Sequence, residues 1–174
     1  DVVERLLRKL KKKTINGRCS GSRDGGGKGN TPLCMASFRG HTRIVRMLIG
    51  AKGLVDQFGD VENKFTPLFV ASQRGYLDTV NTLVAANAGL DLQSFEGVTA
   101  LFKASFKGHL SVVDLLISVK ASVNLQDNNG ASPLYMASQV GQLSVVNSLI
   151  SAKAKVDLQI ISEATALSIA SQHG

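Results

Sequence analysis

Tryptophan is absent from the 174-residue sequence, which contains only three prolines, two cysteines and 5% aromatic residues. Cys19 and Cys34 are too few for a disulfide framework, and no Asn-x-Ser/Thr glycosylation site is present. No run approaches the roughly 18 uninterrupted apolar residues of a membrane-spanning helix, and the first residues lack the apolar core of a signal peptide. We therefore expect an intracellular protein, in the cytoplasm, that does not insert into a membrane.

The charge of the chain is unevenly distributed. The net charge is +7, and residues 1–30 hold nine of the basic and three of the acidic side chains. The basic run Arg8–Lys13 is typical of a solvated helix end. A nuclear-import signal or a contact with an acidic partner is the alternative. Direct binding of nucleic acid is disfavoured, because the run is short and contains no aromatic side chain for base stacking.

Five copies of a seven-residue motif recur along the chain. They begin at Thr31, Thr66, Thr99, Ser132 and Thr165, so successive copies lie 35, 33, 33 and 33 residues apart. Each copy is followed at the same distance by a glycine, and all three prolines occupy its second position. A period of this length indicates an array of stacked repeats.

The motif predicts the start of a short helix. Its Thr or Ser hydroxyl suits an N-cap, and proline fits the first helical position, where the N–H that it lacks has no partner. Apolar residues then recur at three- to four-residue spacing, and the glycine ends the helix in a left-handed turn. The segments after the glycines, such as HLSVVDLLI, predict a second amphipathic helix, and stretches such as DNNG predict polar turns.

This pattern closely resembles the ankyrin-repeat family over residues 31–174. The resemblance implies an all-α fold, a solenoid of stacked helix-turn-helix units with short hairpin-like turns. Residues 1–13 then form the second helix of a truncated repeat, and residues 31–174 form four complete repeats and a fifth truncated after its first helix. Residues 14–30 form a Gly-rich basic insertion, which we expect to be mobile and dispensable for folding. We interpret the chain as an excerpt of a longer array.

The sequence departs from the family pattern at two positions of each motif. The usual histidine is replaced by Cys34, Phe69, Phe102, Tyr135 and Ser168, so packing must replace its bonds between repeats. The usual second alanine is a serine in every copy, small enough for close helix approach and able to bond to a carbonyl one turn earlier. The resemblance assigns a structural role to His41 and His109, which open second helices.

No arrangement of residues in the sequence predicts catalysis. Two cysteines and three histidines give no zinc-ligand spacing. The glycine-rich stretch from Gly21 to Gly29 lacks the G-x-x-x-x-G-K-S/T order of a phosphate loop. We therefore expect no enzyme activity, no metal, no cofactor and no small-molecule substrate.

The resemblance implies that a partner protein binds a concave surface formed by the turn tips and the exposed ends of first helices. Carried over by position, these residues are Phe38, Arg39, Gln73, Arg74, Phe95, Glu96, Phe106, Lys107, Asn128, Asn129, Gln139 and Val140, with Gln172 and His173 in the fifth repeat. Arg39, Arg74 and Lys107 share one register and predict a basic row. Phe38 and Phe106 are candidate anchors, with inward packing as the alternative.

Two functions remain open at this point. The first is a non-catalytic scaffold that binds a partner protein or peptide, with acidic and apolar groups, through the predicted surface. The second makes the array a regulatory or substrate-docking segment of a larger enzyme or channel, whose catalytic or membrane region lies outside these residues. Fold alone identifies neither the partner nor the oligomeric state.

Overall fold

The computed structural model describes residues 16–17, 30–59, 62–160 and 171. These residues form eight α-helices in four pairs: α1 (Pro32–Phe38), α2 (Thr42–Gly50), α3 (Pro67–Arg74), α4 (Leu77–Ala85), α5 (Ala100–Lys107), α6 (Leu110–Ser118), α7 (Pro133–Gln139) and α8 (Leu143–Ser151). The predicted two-helix repeat is thereby confirmed. The helix expected in residues 1–13, most of the insertion and nearly all of the fifth repeat lie outside the described residues.

Hydroxyl groups start the first helix of each described pair, as predicted. The side chains of Thr31, Thr66, Thr99 and Ser132 accept a hydrogen bond from the backbone N–H three residues later, at 3.2, 3.1, 3.1 and 3.1 Å. Three of these helices begin at proline. Because the first N–H groups of a helix have no partner within it, these caps fix where each helix begins.

A left-handed glycine ends each first helix, also as predicted. Gly40, Gly75, Gly108 and Gly141 have φ values of 69°, 74°, 75° and 71°. After each glycine, the next backbone N–H donates to a carbonyl five residues earlier, as in His109 N–H to Ala104 O at 3.0 Å. This geometry satisfies carbonyls at the helix end and turns the chain into the second helix.

The chain divides into two compact units, and the first contains residues 30–59, 62–71 and 76–89 of the described chain together with residues 16–17. Helix α2 packs against α1 and α4. The hydroxyl oxygens of Thr42 and Thr79 are 2.8 Å apart and join the two second helices. Cys34 is buried, and the Phe69 ring stacks on Phe65 with 4.5 Å between centroids.

The second unit contains residues 72–75, 90–160 and 171 of the described chain. Helix α5 packs against α6 and α7, and α8 packs against α6 and α7. Four leucines, one from each of these helices, are fully buried: Leu101, Leu116, Leu134 and Leu149. Phe102 and Tyr135 are buried too. Aromatic packing therefore occupies the position that usually holds histidine, as predicted.

The serine prediction is only partly confirmed. Ser105 Oγ donates to Leu101 O at 2.8 Å, one turn earlier. The Oγ atoms of Ser37 and Ser72 are buried and have no hydrogen-bond partner among the described residues, so the predicted bond is wrong at both positions. There the small volume of serine, rather than its hydroxyl, suits the close contact between helices.

Candidate protein-interaction surface

Two hairpin tips of the second unit carry four of the predicted surface residues. The tips are the turns Ser94–Gly97 and Asp127–Gly130, each closed by a 3.0 Å bond from the glycine N–H to the first carbonyl. Gly97 and Gly130 have φ values of 80° and 84°, a backbone conformation that residues other than glycine rarely adopt. Phe95, Glu96, Asn128 and Asn129 are exposed at these tips.

The two tips contact each other through Asn128. Its backbone N–H donates to Glu96 O at 3.0 Å, and its Nδ2 donates to Phe95 O at 2.9 Å. The structure therefore brings three predicted tip residues together. The side chain of Phe95 remains 69% exposed, which leaves a large apolar group available for contact.

Glutamine side chains add a second link between hairpins. Gln93 Nε2 donates to Gly97 O at 2.7 Å and to Gln126 O at 3.2 Å. Gln126 repeats this pattern with Gly130 O and, at 3.1 Å, with Gln159 O. This ladder was not predicted, although the recurring glutamine in LDLQ, VNLQ and VDLQ is its signal in the sequence.

Asp and Asn side chains form another contact from one repeat to the next. Each accepts a bond from a backbone N–H of the following repeat at 2.8–2.9 Å: Asn16 from Leu54, Asp56 from Gly89, Asp91 from Ser122 and Asn124 from Lys155. Asn16 lies within the predicted 14–30 insertion, yet it makes the same contact as the later repeats. We call these four bonds the Asp/Asn ladder, and they connect each repeat to the following one.

Phe106, near the end of α5, has two cations close to its ring. Lys107 Nζ is 5.0 Å and Lys103 Nζ is 5.6 Å from its ring centroid, distances typical of cation–π contacts. Within the described part of the chain, neither ammonium forms an ion pair with a carboxylate. Lys103 was missed in the sequence, where its signal is a second lysine one helical turn before Lys107.

The remaining predicted residues lie at the ends of the other first helices. Arg74 is exposed at the end of α3, beside the half-buried Gln73. Gln139 and Val140 are exposed at the end of α7, so an apolar side chain follows Arg74 and Lys107 in this register. In the first unit, Phe38 is half-buried and Arg39 exposed at the end of α1.

The structural role implied for His109 is confirmed. Its ring lies against Gly75, and its Nε2 donates to Gln73 O at 3.1 Å. His41 is exposed at the start of α2. In the part of the chain that the structure describes, no group of His, Cys, Asp and Glu could hold a metal, and no helix is long and apolar enough to cross a membrane.

A family model described as "Ankyrin repeats (3 copies)" matches residues 1–95 and 83–160. The chain belongs to the ankyrin-repeat family. A curated ankyrin-repeat relative, "Ankyrin repeat and KH domain-containing protein mask-1" of Caenorhabditis elegans, is 37% identical over 59 residues, or 34% of this chain. The chain spans 2% of the length of that relative. Ankyrin repeats are generally protein-interaction modules, and ankyrin-repeat proteins are typically non-catalytic scaffolds.

Proposed function

We propose that this ankyrin-repeat chain is a non-catalytic scaffold whose second unit docks a segment of a partner protein. The docking surface consists of Arg74, Phe95, Lys103, Phe106, Lys107, Gln139 and Val140. The observation that carries the proposal is the Phe106 ring with two lysine ammonium groups 5.0 and 5.6 Å from its centroid. The scarcity of cysteine and the lack of glycosylation sites support an intracellular, cytoplasmic setting.

The charges of the docking surface define the chemistry of the segment. Lys103 and Lys107 form no ion pair with a described carboxylate, so their charges are available to a ligand. Carboxylates of the partner would complement them, raising the association rate and the specificity more than the affinity. The docked segment therefore carries Asp or Glu side chains.

Apolar groups of the docking surface supply the anchors. Phe106 is half-buried, so its side chain loses less conformational freedom than a fully exposed one when a ligand packs against it. Phe95 is more exposed, at the tip that Asn128 holds in place. Since buried aromatic contacts dominate the energy of many interfaces, the docked segment also carries apolar side chains.

The order of residues along the docking surface predicts where the acidic and the apolar parts of the segment lie. Arg74, Lys107 and Val140 hold the same register in α3, α5 and after α7, and Val140 is 40% exposed. The acidic part of the segment then lies near Arg74 and Lys107, and its apolar part near Val140. Glu96 repels carboxylates at the tips, which disfavours a segment that is acidic throughout.

Selection of displayed random peptides tests the proposed function. The native chain is the target, and each selected pool is then tested on two double variants. Phe106→Ala/Lys107→Glu alters the docking surface. Leu143→Ala/Lys155→Glu makes matched changes at exposed positions on the second helix α8 and the turn after it.

We expect the enriched peptides to contain both carboxylates and apolar side chains. They should bind the matched control and fail to bind the docking-surface variant. Enrichment of basic peptides, or equal binding to both variants, would contradict the proposal. Circular dichroism of each variant checks that its helices are retained.

A further inference from the structure

Asn129 and Gly130 form one of two Asn-Gly pairs in the sequence, and Asn16 and Gly17 form the other. Glycine has no side chain to hinder its backbone nitrogen from attacking the preceding carboxamide. We propose that Asn129 is a site of spontaneous deamidation, which converts a neutral hairpin tip into an anionic one.

The reaction requires only water. The Gly130 backbone nitrogen loses its proton to a base in solvent and forms a bond to Asn129 Cγ. The Cγ–Nδ2 bond then breaks as Nδ2 takes up a proton from solvent, and ammonia leaves. The resulting succinimide is opened by water at either carbonyl. The product is aspartate, or isoaspartate with one extra methylene in the main chain. No residue of the protein is oxidised or reduced.

The carboxamide of Asn129 differs from its neighbours in being unrestrained. Asn129 is exposed, and its side chain forms no hydrogen bond with the described residues. The Asn128 carboxamide, by contrast, is held by Phe95 O at 2.9 Å. The Asn129 side chain can therefore rotate towards the Gly130 nitrogen, whereas that of Asn128 is restrained.

Asn16 provides an internal control with the same following residue. Its Oδ1 accepts from Leu54 N–H at 2.8 Å, and its backbone carbonyl accepts from Gln57 Nε2 at 3.1 Å. The bond to Oδ1 restrains the carboxamide itself, and the bond to the carbonyl restrains the backbone that leads to Gly17. Folding should therefore protect Asn16 more than Asn129.

The turn at Asn129 slows the reaction without preventing it. Gly130 N–H donates to Asp127 O at 3.0 Å, and this bond must open before the nitrogen can attack. Exposed turns with few buried contacts open at a small fraction of the free energy of global unfolding. We therefore expect Asn129 to react more slowly in the folded protein than in the unfolded chain, but faster than folded Asn16.

Peptide mapping by mass spectrometry tests this modification in the full chain. Native protein and protein unfolded in urea are incubated at mildly alkaline pH, and deamidation at each asparagine is followed over time. We expect Asn129 to react several-fold faster than Asn16 in the folded protein, and the two sites to react at similar rates in urea. The Asn129→Gln variant should lose the modified product.

Two results would overturn the proposal: a folded-state rate at Asn16 equal to or above that at Asn129, or no reaction at Asn129. The mass measurement needs no partner and is independent of the proposed function. One consequence does rest on that function. The new carboxylate follows Asn128, whose backbone N–H bonds to Glu96 O, so it adds negative charge at the tips and should weaken binding of an acidic peptide several-fold. Modification without weaker binding would contradict the charge account of docking and leave the deamidation site intact.

Discussion

The imidazole of His109 lies against Gly75, so close that a Cβ on this glycine would be 2.6 Å from Nδ1. The Tyr76 ring lies in the same way against Gly40, at 2.9 Å from such a Cβ. Each glycine thus serves two purposes, because it adopts the left-handed conformation and receives a side chain from the next repeat. At these two positions the glycine couples the end of one helix to the packing between repeats.

Gly75→Ala should destabilise the protein more than Gly141→Ala. Both glycines are left-handed, and an alanine in that conformation costs about 1–2 kcal/mol. At Gly141 a Cβ meets no described atom within 4 Å, whereas at Gly75 it displaces the His109 ring, an overpacking that adds roughly 1–3 kcal/mol. Urea unfolding measures both losses. Adding His109→Ala to Gly75→Ala should relieve the overpacking part, and equal losses for the two single variants would refute this explanation.

Leu116→Ala should destabilise the protein by roughly 2–5 kcal/mol, because it leaves a cavity in the core of the second unit. Leu116 is 0% exposed in the centre of α6. Leu143→Ala is the matched control, since Leu143 begins α8 and is 71% exposed. Its loss in urea unfolding should stay well below 1 kcal/mol, in the range of ordinary surface changes. Similar losses for both variants would mean that Leu116 has been assigned to the wrong face.

Ser72→Ala should stabilise the protein, by about 1 kcal/mol, because it removes a buried hydroxyl that has no hydrogen-bond partner in the described part of the chain. Ser105→Ala changes the same motif position but removes the bond to Leu101 O, so it should be neutral or cost up to about 1 kcal/mol. Thermal unfolding of the two variants gives the comparison. A loss of stability in Ser72→Ala would show that its hydroxyl has a partner in solution.

Asp91→Ala should destabilise the protein by roughly 1–2 kcal/mol, because a carboxylate that accepts two hydrogen bonds is lost. Asp91 accepts from both the backbone N–H and the hydroxyl of Ser122. Asp157 holds the same position one repeat beyond Asn124 and accepts no bond from the described residues. Asp157→Ala should therefore change the free energy of unfolding by well under 1 kcal/mol. If both variants lose the same free energy of unfolding, the bonds between Asp91 and Ser122 contribute nothing beyond the charge of the carboxylate.

The helices were predictable because their signals are local. Thr99 caps α5 through the N–H of Phe102, three residues away, and Gly108 ends the same helix. Such contacts depend on the chain immediately around them and not on the packing of other repeats. The boundaries of the first helices could therefore be read from the motif.

The details of the surface depend on contacts between side chains and could be predicted only in part. The family register assigned Phe106 and Lys107 but not Lys103, which reaches the same ring from one turn away. The bond from Asn128 to Phe95 joins residues 33 positions apart and depends on how the hairpins stack. Whether the hydroxyl of Ser72 forms a bond likewise depends on its surroundings, and there the bond expected from the motif is absent among the described residues.

The affinity of one selected peptide for three forms of the protein tests the docking surface most directly. The forms are the native chain, Phe106→Ala/Lys107→Glu and the matched control Leu143→Ala/Lys155→Glu, each checked for helicity. Loss of an aromatic anchor and of a complementary charge should weaken binding by roughly 2 kcal/mol or more, about thirtyfold in Kd, while the control stays within about twofold of the native chain. Equal affinities for all three forms, or an equal loss in the control, would contradict docking at Phe106 and its lysines.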